Sequence, residues 1–135
     1  MPQILLVEDD ETDALFVQRC LDKQGASIPL TLARDGSEAL EILRGEDGLK
    51  KPFIILTDLN MPGMSGHELI QEIRTDGDLR DSVIFVLSSS RLHEDIERCY
   101  AMNVAGYLTK DSDPVQLGRR ISMLLDYCDA VHLPS

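Results

Sequence analysis

Five polar positions stand where apolar runs give out. Glu8 and Asp9 follow Gln3-Ile4-Leu5-Leu6-Val7, and Asp58 closes Phe53-Ile54-Ile55-Leu56-Thr57. Ser88 ends Val83-Ile84-Phe85-Val86-Leu87, and Lys110 follows Ala105-Gly106-Tyr107-Leu108-Thr109. An unpaired carboxylate at the tip of a buried strand is costly, so these acids call for a reason. Each has a plain one: Glu8-Asp9-Asp10-Glu11 as a solvated helix start, Asp58 as a loop cap, Lys110 as a salt-bridge partner. Taken together, three carboxylates, a hydroxyl and an ammonium suit phosphoryl transfer. Clustered carboxylates favour a hard divalent cation, and Mg²⁺ keeps positions for water and phosphate. A lysine neutralises phosphoryl oxygens, a hydroxyl donates to another, and an Asp carboxylate can itself accept the group as an acyl phosphate. Zinc is disfavoured because the set has neither His nor Cys, and the loops lack the regular ligand spacing of a calcium site.

The elements that must position these groups alternate. After the first apolar run, a helix is expected over about Glu11 to Lys23, with Ala14, Val17 and Leu21 on one face and Gly25 stopping it. Pro29 to Ala33 reads as a second strand. Asp35-Gly36-Ser37-Glu38 and Ser65-Gly66-His67-Glu68 both have capping-box form. They open helices with Ala39, Leu40 and Leu43, then Leu69, Ile70 and Ile73, turned inward. Phe53 to Asp58 is the third strand, with a turn at Pro62-Gly63. The fourth strand leads to a helix over about His93 to Met102. The fifth leads past Asp113-Pro114, a good cap and first turn, to a helix with Leu117, Ile121, Leu124 and Cys128 on one stripe. Strand–helix alternation five times over implies an α/β fold: a doubly wound, five-stranded parallel sheet with helices on both faces. The strand ends then converge on one edge, where such sheets bind ligands.

Composition narrows the classes further. The 135 residues, 43% of them apolar, suit one globular domain, 1–135, with no linker to a second. With 24 acids against 13 bases, the net charge of −11 argues against direct contact with nucleic acid or an anionic membrane. No run approaches a membrane span and no signal peptide opens the chain. Cys20, Cys99 and Cys128 are odd in number and far apart, which fits reduced thiols and a cytoplasmic location.

Val7-Glu8-Asp9, Thr57-Asp58-Leu59-Asn60-Met61-Pro62-Gly63-Met64-Ser65-Gly66, Val86-Leu87-Ser88-Ser89 and Tyr107-Leu108-Thr109-Lys110 resemble the motifs of response-regulator receiver domains of two-component signalling. Their order and spacing agree from Ile4 to about Tyr127. The resemblance implies the flavodoxin-like receiver fold. It implies that Asp58 accepts a phosphoryl group from a sensor histidine kinase or phosphotransfer protein, with Mg²⁺ held by Asp9, Asp58 and the Asn60 carbonyl and Glu8 acting through water. Ser88 and Lys110 would bind the phosphoryl group, and Tyr107 would be an aromatic switch. Such a protein promotes its own phosphorylation and dephosphorylation without being a turnover enzyme. The chain is similar to single-domain regulators, which signal through contacts with another protein and are compatible with a homodimer. Ser88-Ser89-Ser90 and the polar loop before Phe53 are similar to the regulators paired with bacterial phytochromes.

Other classes fit less well. A metal-dependent phosphatase with an Asp nucleophile often has a second acid two residues on, where this chain has Asn60. A flavin-binding module needs a phosphate-cradling loop after strand one, and Glu8-Asp9-Asp10-Glu11 would repel the phosphate. A metal-free pseudo-receiver should have lost Asp58, Asp9 or Lys110. One departure stands out: the family usually has a cis proline after the lysine, and Asp111 is there instead. A cis Lys110–Asp111 bond is expected, because an ammonium must meet the phosphoryl group and the lysine's flexible stem alone would not correct a redirected chain, and sites tolerate such strain. Lys110 is expected to reach Asp58 in either case.

Overall fold

The computed structural model describes residues 2–24, 28–45 and 48–135. Five strands and five helices alternate strictly: β1 (Gln3–Val7), α1 (Glu11–Lys23), β2 (Leu30–Ala33), α2 (Gly36–Arg44), β3 (Phe53–Thr57), α3 (Gly66–Thr75), β4 (Val83–Ser88), α4 (His93–Ala101), β5 (Gly106–Thr109) and α5 (Pro114–Ala130). All the pairings are parallel, in the order β2-β1-β3-β4-β5. The expected doubly wound sheet is therefore present. Gly25, read as the stop of α1, lies outside the described residues.

Side chains alternate across the sheet, and the strands sort two cores. Leu5, Val7, Ile55, Ile84 and Val86 meet α2, α3 and α4 through Leu40, Leu69, Ile70, Ile73 and Cys99. Ile4, Leu6, Ile54, Leu56, Phe85 and Leu87 meet α1 and α5 through Val17, Leu21, Ile121 and Leu124. Because β3 is buried on both faces along its whole length, it reads as an unbroken apolar run. No helix among the described residues is long and apolar enough to cross a membrane.

The caps depart from expectation in one place. Ser65 and Glu68 form the full reciprocal box at the start of α3. At α2 only half of the box forms. Asp35 accepts from the Glu38 N–H at 2.8 Å, but the Glu38 carboxylate turns back to the Arg34 N–H instead. Asp113 caps α5 with Pro114 in its first turn, as expected. Helix α4 starts without a side-chain cap.

Arg74 of α3 ties two connections together. Its guanidinium donates to the carbonyls of Met102 (2.8 Å), Arg80 (2.7 Å), Ser82 (2.7 Å) and Asn103 (2.9 Å). Asn103, at φ 62°, shapes the α4–β5 turn that supplies two of these acceptors. Arg74→Met keeps the stem but strands carbonyls that are partly shielded from water. A loss of about 2 kcal/mol is expected in urea denaturation with an unchanged m-value.

Candidate functional site

The site is built at the reversal of strand order. The chain adds β2 on one side of β1 and β3 on the other, which opens a crevice at their C-terminal ends. Val7 pairs with Thr57, so the next residue on each strand, Glu8 and Asp58, emerges side by side. Backbone bonds extend the ladder past the strand ends: Asp58 N–H donates to Val7 O at 3.0 Å and Glu8 N–H to Ala33 O at 2.9 Å. Both carboxylates are buried, with Glu8 2% and Asp58 7% exposed. A Cβ on Gly66 would collide with the Asp58 carbonyl, so only glycine lets α3 start against the loop that carries Asp58. Gly63, at φ 75°, turns the chain between them.

Lys110 enters from the far side of β4. Its N–H donates to Ser88 O at 2.8 Å, and its stem carries Nζ across to 2.9 Å from Asp58 Oδ2 and 2.8 Å from Glu8 Oε2. The expected cis Lys110–Asp111 bond is not formed. Lys51–Pro52 is the one cis bond among the described residues. A non-proline cis bond costs roughly 3 kcal/mol, and a trans backbone already brings Nζ to the carboxylates, so nothing offsets that cost. Arg120 fixes this turn, donating to Thr109 O at 2.9 Å and to Asp111 at 3.2 Å.

The charges are unequal in their surroundings. Burial raises the Glu8 carboxyl from 4.5 to about 7; the Lys110 hydrogen bond opposes this and the Asp58 charge adds to it. Burial alone would lower the Lys110 ammonium, yet its bonds to Asp13, Glu8 and Asp58 outweigh burial and raise it. Crowding with Asp58 contributes to the rise at Glu8, but burial is the larger cause. In the metal-free protein a proton on Glu8 therefore favours the folded state. That contribution is fully present below about 4.5 and lost as pH rises through about 7. Thermal melts in chelator should show stability rising as pH falls through this window, with a shallower rise for Glu8→Gln.

Each oxygen of Asp58 is engaged. Oδ1 accepts from the Leu59 N–H at 2.7 Å and more weakly from the Asn60 N–H at 3.5 Å, while Oδ2 takes Lys110. Glu8, Asp9 and Asp58 each offer an oxygen, all within 4.8 Å of one another. An all-oxygen set of this kind fits a hard divalent cation. Asp9 and Asn60 are exposed at the mouth.

The remaining sequence-derived residues lie on the β4–α4 side. Ser88 is fully buried, and its Oγ accepts from the Ser90 N–H at 3.2 Å. Tyr107 is half-buried, packed on the α2–α3–α4 core, and its hydroxyl donates to Ser90 O at 2.8 Å. Two features escaped the sequence reading. Asp13, from the first turn of α1, takes the third hydrogen of Lys110 at 2.8 Å. His67, on the buried side of α3, meets Asp95 at 3.3 Å, and Asp95 accepts from the Ser90 hydroxyl at 2.6 Å. A polar chain thus runs from α3 to the carbonyl that holds Tyr107. Cys99, beside His67, has its thiol pushed up to about 11, chiefly by burial, and is inert.

Residues 4–122 match the family described as the response regulator receiver domain. Response regulator Rcp1 of Synechocystis sp. is 33% identical over 98% of this chain and 92% of its own. A probable methanogenesis regulatory protein, FilR2 of Methanothrix harundinacea, is 32% identical over 92% of this chain and 81% of its own. Among solved structures, that of the phosphorylated cyanobacterial phytochrome response regulator RcpA superposes with a TM-score of 0.90 at 34% identity, covering 98% of both chains. The Mn²⁺-bound form of Rcp1 gives 0.89 at 32% identity, again over 98% of each chain. A match this long, on a sheet whose strand ends gather the motif residues, places the chain in the response regulator receiver domain family of two-component signalling.

Proposed function

We propose that Asp58 is the phosphoryl acceptor and that Lys110, Ser88 and Tyr107 bind and report the group. The observation that carries this reading is Asp58 itself. It is a buried carboxylate at the tip of the central strand, with Oδ1 aimed by the Leu59 N–H and Oδ2 held by the Lys110 ammonium. In transfer from a phosphohistidine of a kinase or phosphotransfer protein, a carboxylate oxygen of Asp58 forms the new P–O bond. The P–N bond breaks and its electron pair leaves with the imidazole. Lys110 then neutralises phosphoryl oxygens, and Ser88 donates to one of them.

Asp9, Asp58 and the Asn60 carbonyl would hold Mg²⁺, with Glu8 acting through water; Mg²⁺ is the hard-cation choice for an all-oxygen site. A bound cation there neutralises charge between the acids and the incoming group. Phosphorylation draws Ser88 Oγ away from the Ser90 N–H, which frees the loop whose carbonyl holds Tyr107. Helix α4, strand β5 and helix α5 are then the first surface to change, and another protein reads it. Exposed Leu92, Tyr100 and Val115 lie on that side. The likeness to the cyanobacterial phytochrome response regulator RcpA and to a bacteriophytochrome response regulator supports a phytochrome-associated role for this chain.

The test is incubation with acetyl phosphate and Mg²⁺, read by intact mass. One phosphoryl addition, lost in alkali and absent in chelator, is expected. An addition that survives alkali, or forms equally well in chelator, defeats the reading.

A further inference from the structure

We propose that Asp13 acts as an electrostatic brake on phosphoryl transfer, working through Lys110. This rests on the reading of Asp58 as acceptor. An ammonium has three hydrogens to donate, and all three of Lys110's are taken, by Glu8 and Asp13 at 2.8 Å and Asp58 at 2.9 Å. The three acceptors differ in their surroundings. Glu8 and Asp58 are buried, whereas the Asp13 side chain is 41% exposed. Asp13 is also outside the set of carboxylates whose oxygens converge closely enough for a cation.

Two consequences follow from that placement. A cation held by Glu8, Asp9 and Asp58 leaves the Asp13 charge facing the incoming phosphoryl group. In addition, the ammonium that must meet the phosphoryl oxygens is shared with a residue that takes no part in bonding the group. The backbone of Asp13 is held in the first turn by its N–H to Asp10 Oδ1 at 3.0 Å, its carboxylate by Lys110 at 2.8 Å, and the first turn of a helix favours an acid. It is therefore a positioning residue for Lys110 and a standing negative charge beside the acceptor. The repulsion opposes a dianionic donor more than a monoanionic one. A residue that merely supported the fold would not discriminate between the two.

The experiment compares wild type, Asp13→Asn, Asp13→Glu and Asp58→Asn with two donors at saturating Mg²⁺. Acetyl phosphate carries one more negative charge near neutral pH than phosphoramidate. Asp13→Asn should be phosphorylated about 5-fold faster by acetyl phosphate, the size of effect one unit charge gives in a partly solvated site. The gain with phosphoramidate should be about 2-fold, and added salt should shrink both. Asp13→Glu, which keeps the charge, should stay near wild type. An equal gain with both donors, or none with acetyl phosphate, overturns the brake. Undiminished addition to Asp58→Asn would instead overturn the acceptor reading, so the two failures are separable.

Discussion

Lys110→Met should lower the stability of the metal-free protein by about 3 kcal/mol, among the largest effects of any single change at the site. Methionine roughly fills the space of the lysine stem, so the loss is that of the ammonium. Without it Glu8 and Asp58, both almost wholly buried, face each other with no cation between them. Breaking a buried pair by removing one partner leaves an uncompensated charge. Protonation is the escape. The Glu8 carboxyl already sits at about 7, held down by its Lys110 hydrogen bond, and rises further when that bond goes. The deficit should therefore be greatest at alkaline pH and shrink as pH falls. Added Mg²⁺ should restore part of it, because a divalent cation supplies the charge that the ammonium gave. Urea denaturation in chelator and in Mg²⁺, each at two pH values, measures all of this. A variant as stable as wild type at alkaline pH in chelator would mean that the three-acid cluster is not what Lys110 stabilises.

The sequence made the sheet and most of the site legible for a physical reason. A strand buried on both faces is uniformly apolar, so the first polar residue after it is conspicuous, and Asp58 is that residue after β3. Parallel register then carries the rest: Val7 opposite Thr57 puts Glu8 beside Asp58 without further information. Helices were less legible, because polar residues in them have ordinary reasons to be there. Asp13 sits in a first turn, where the helix dipole favours any acid, and nothing local distinguishes it from Glu11. Its partner lies 97 residues away. His67 looked like the filler of a capping box, yet three-point-six periodicity puts it on the side of Ile70, one turn on, and it is buried against Cys99 and Asp95. The box forms in full at Ser65 and by half at Asp35, where the Glu38 carboxylate accepts from the Arg34 N–H instead. The Lys110–Asp111 bond was misjudged because the reach of a lysine stem was undervalued against backbone strain.

Asp58→Asn should abolish the phosphoryl addition while leaving the fold within about 1 kcal/mol of wild type. The two halves of this expectation have different origins. Chemically, an amide oxygen is no nucleophile toward phosphorus under these conditions, and the other buried carboxylate on Lys110, Glu8, stands beside the tip of the central strand rather than at it. Structurally, an amide has one acceptor oxygen where the carboxylate has two. That oxygen can keep the Leu59 N–H, 2.7 Å away, but the amide nitrogen then faces Lys110 Nζ, donor against donor. The ammonium retains Glu8 and Asp13. One bond is lost, and in return one of the crowded negative charges is removed. The two effects have opposite sign and similar size, so melting in chelator should barely change. Mg²⁺ protection against unfolding should fall, because the cation loses a charged ligand of its set. Intact mass, denaturation in chelator and denaturation in Mg²⁺ read the three outcomes separately. Continued addition at an undiminished rate would move the acceptor elsewhere, and Asp9, exposed at the mouth of the same crevice, would be the first carboxylate to replace next.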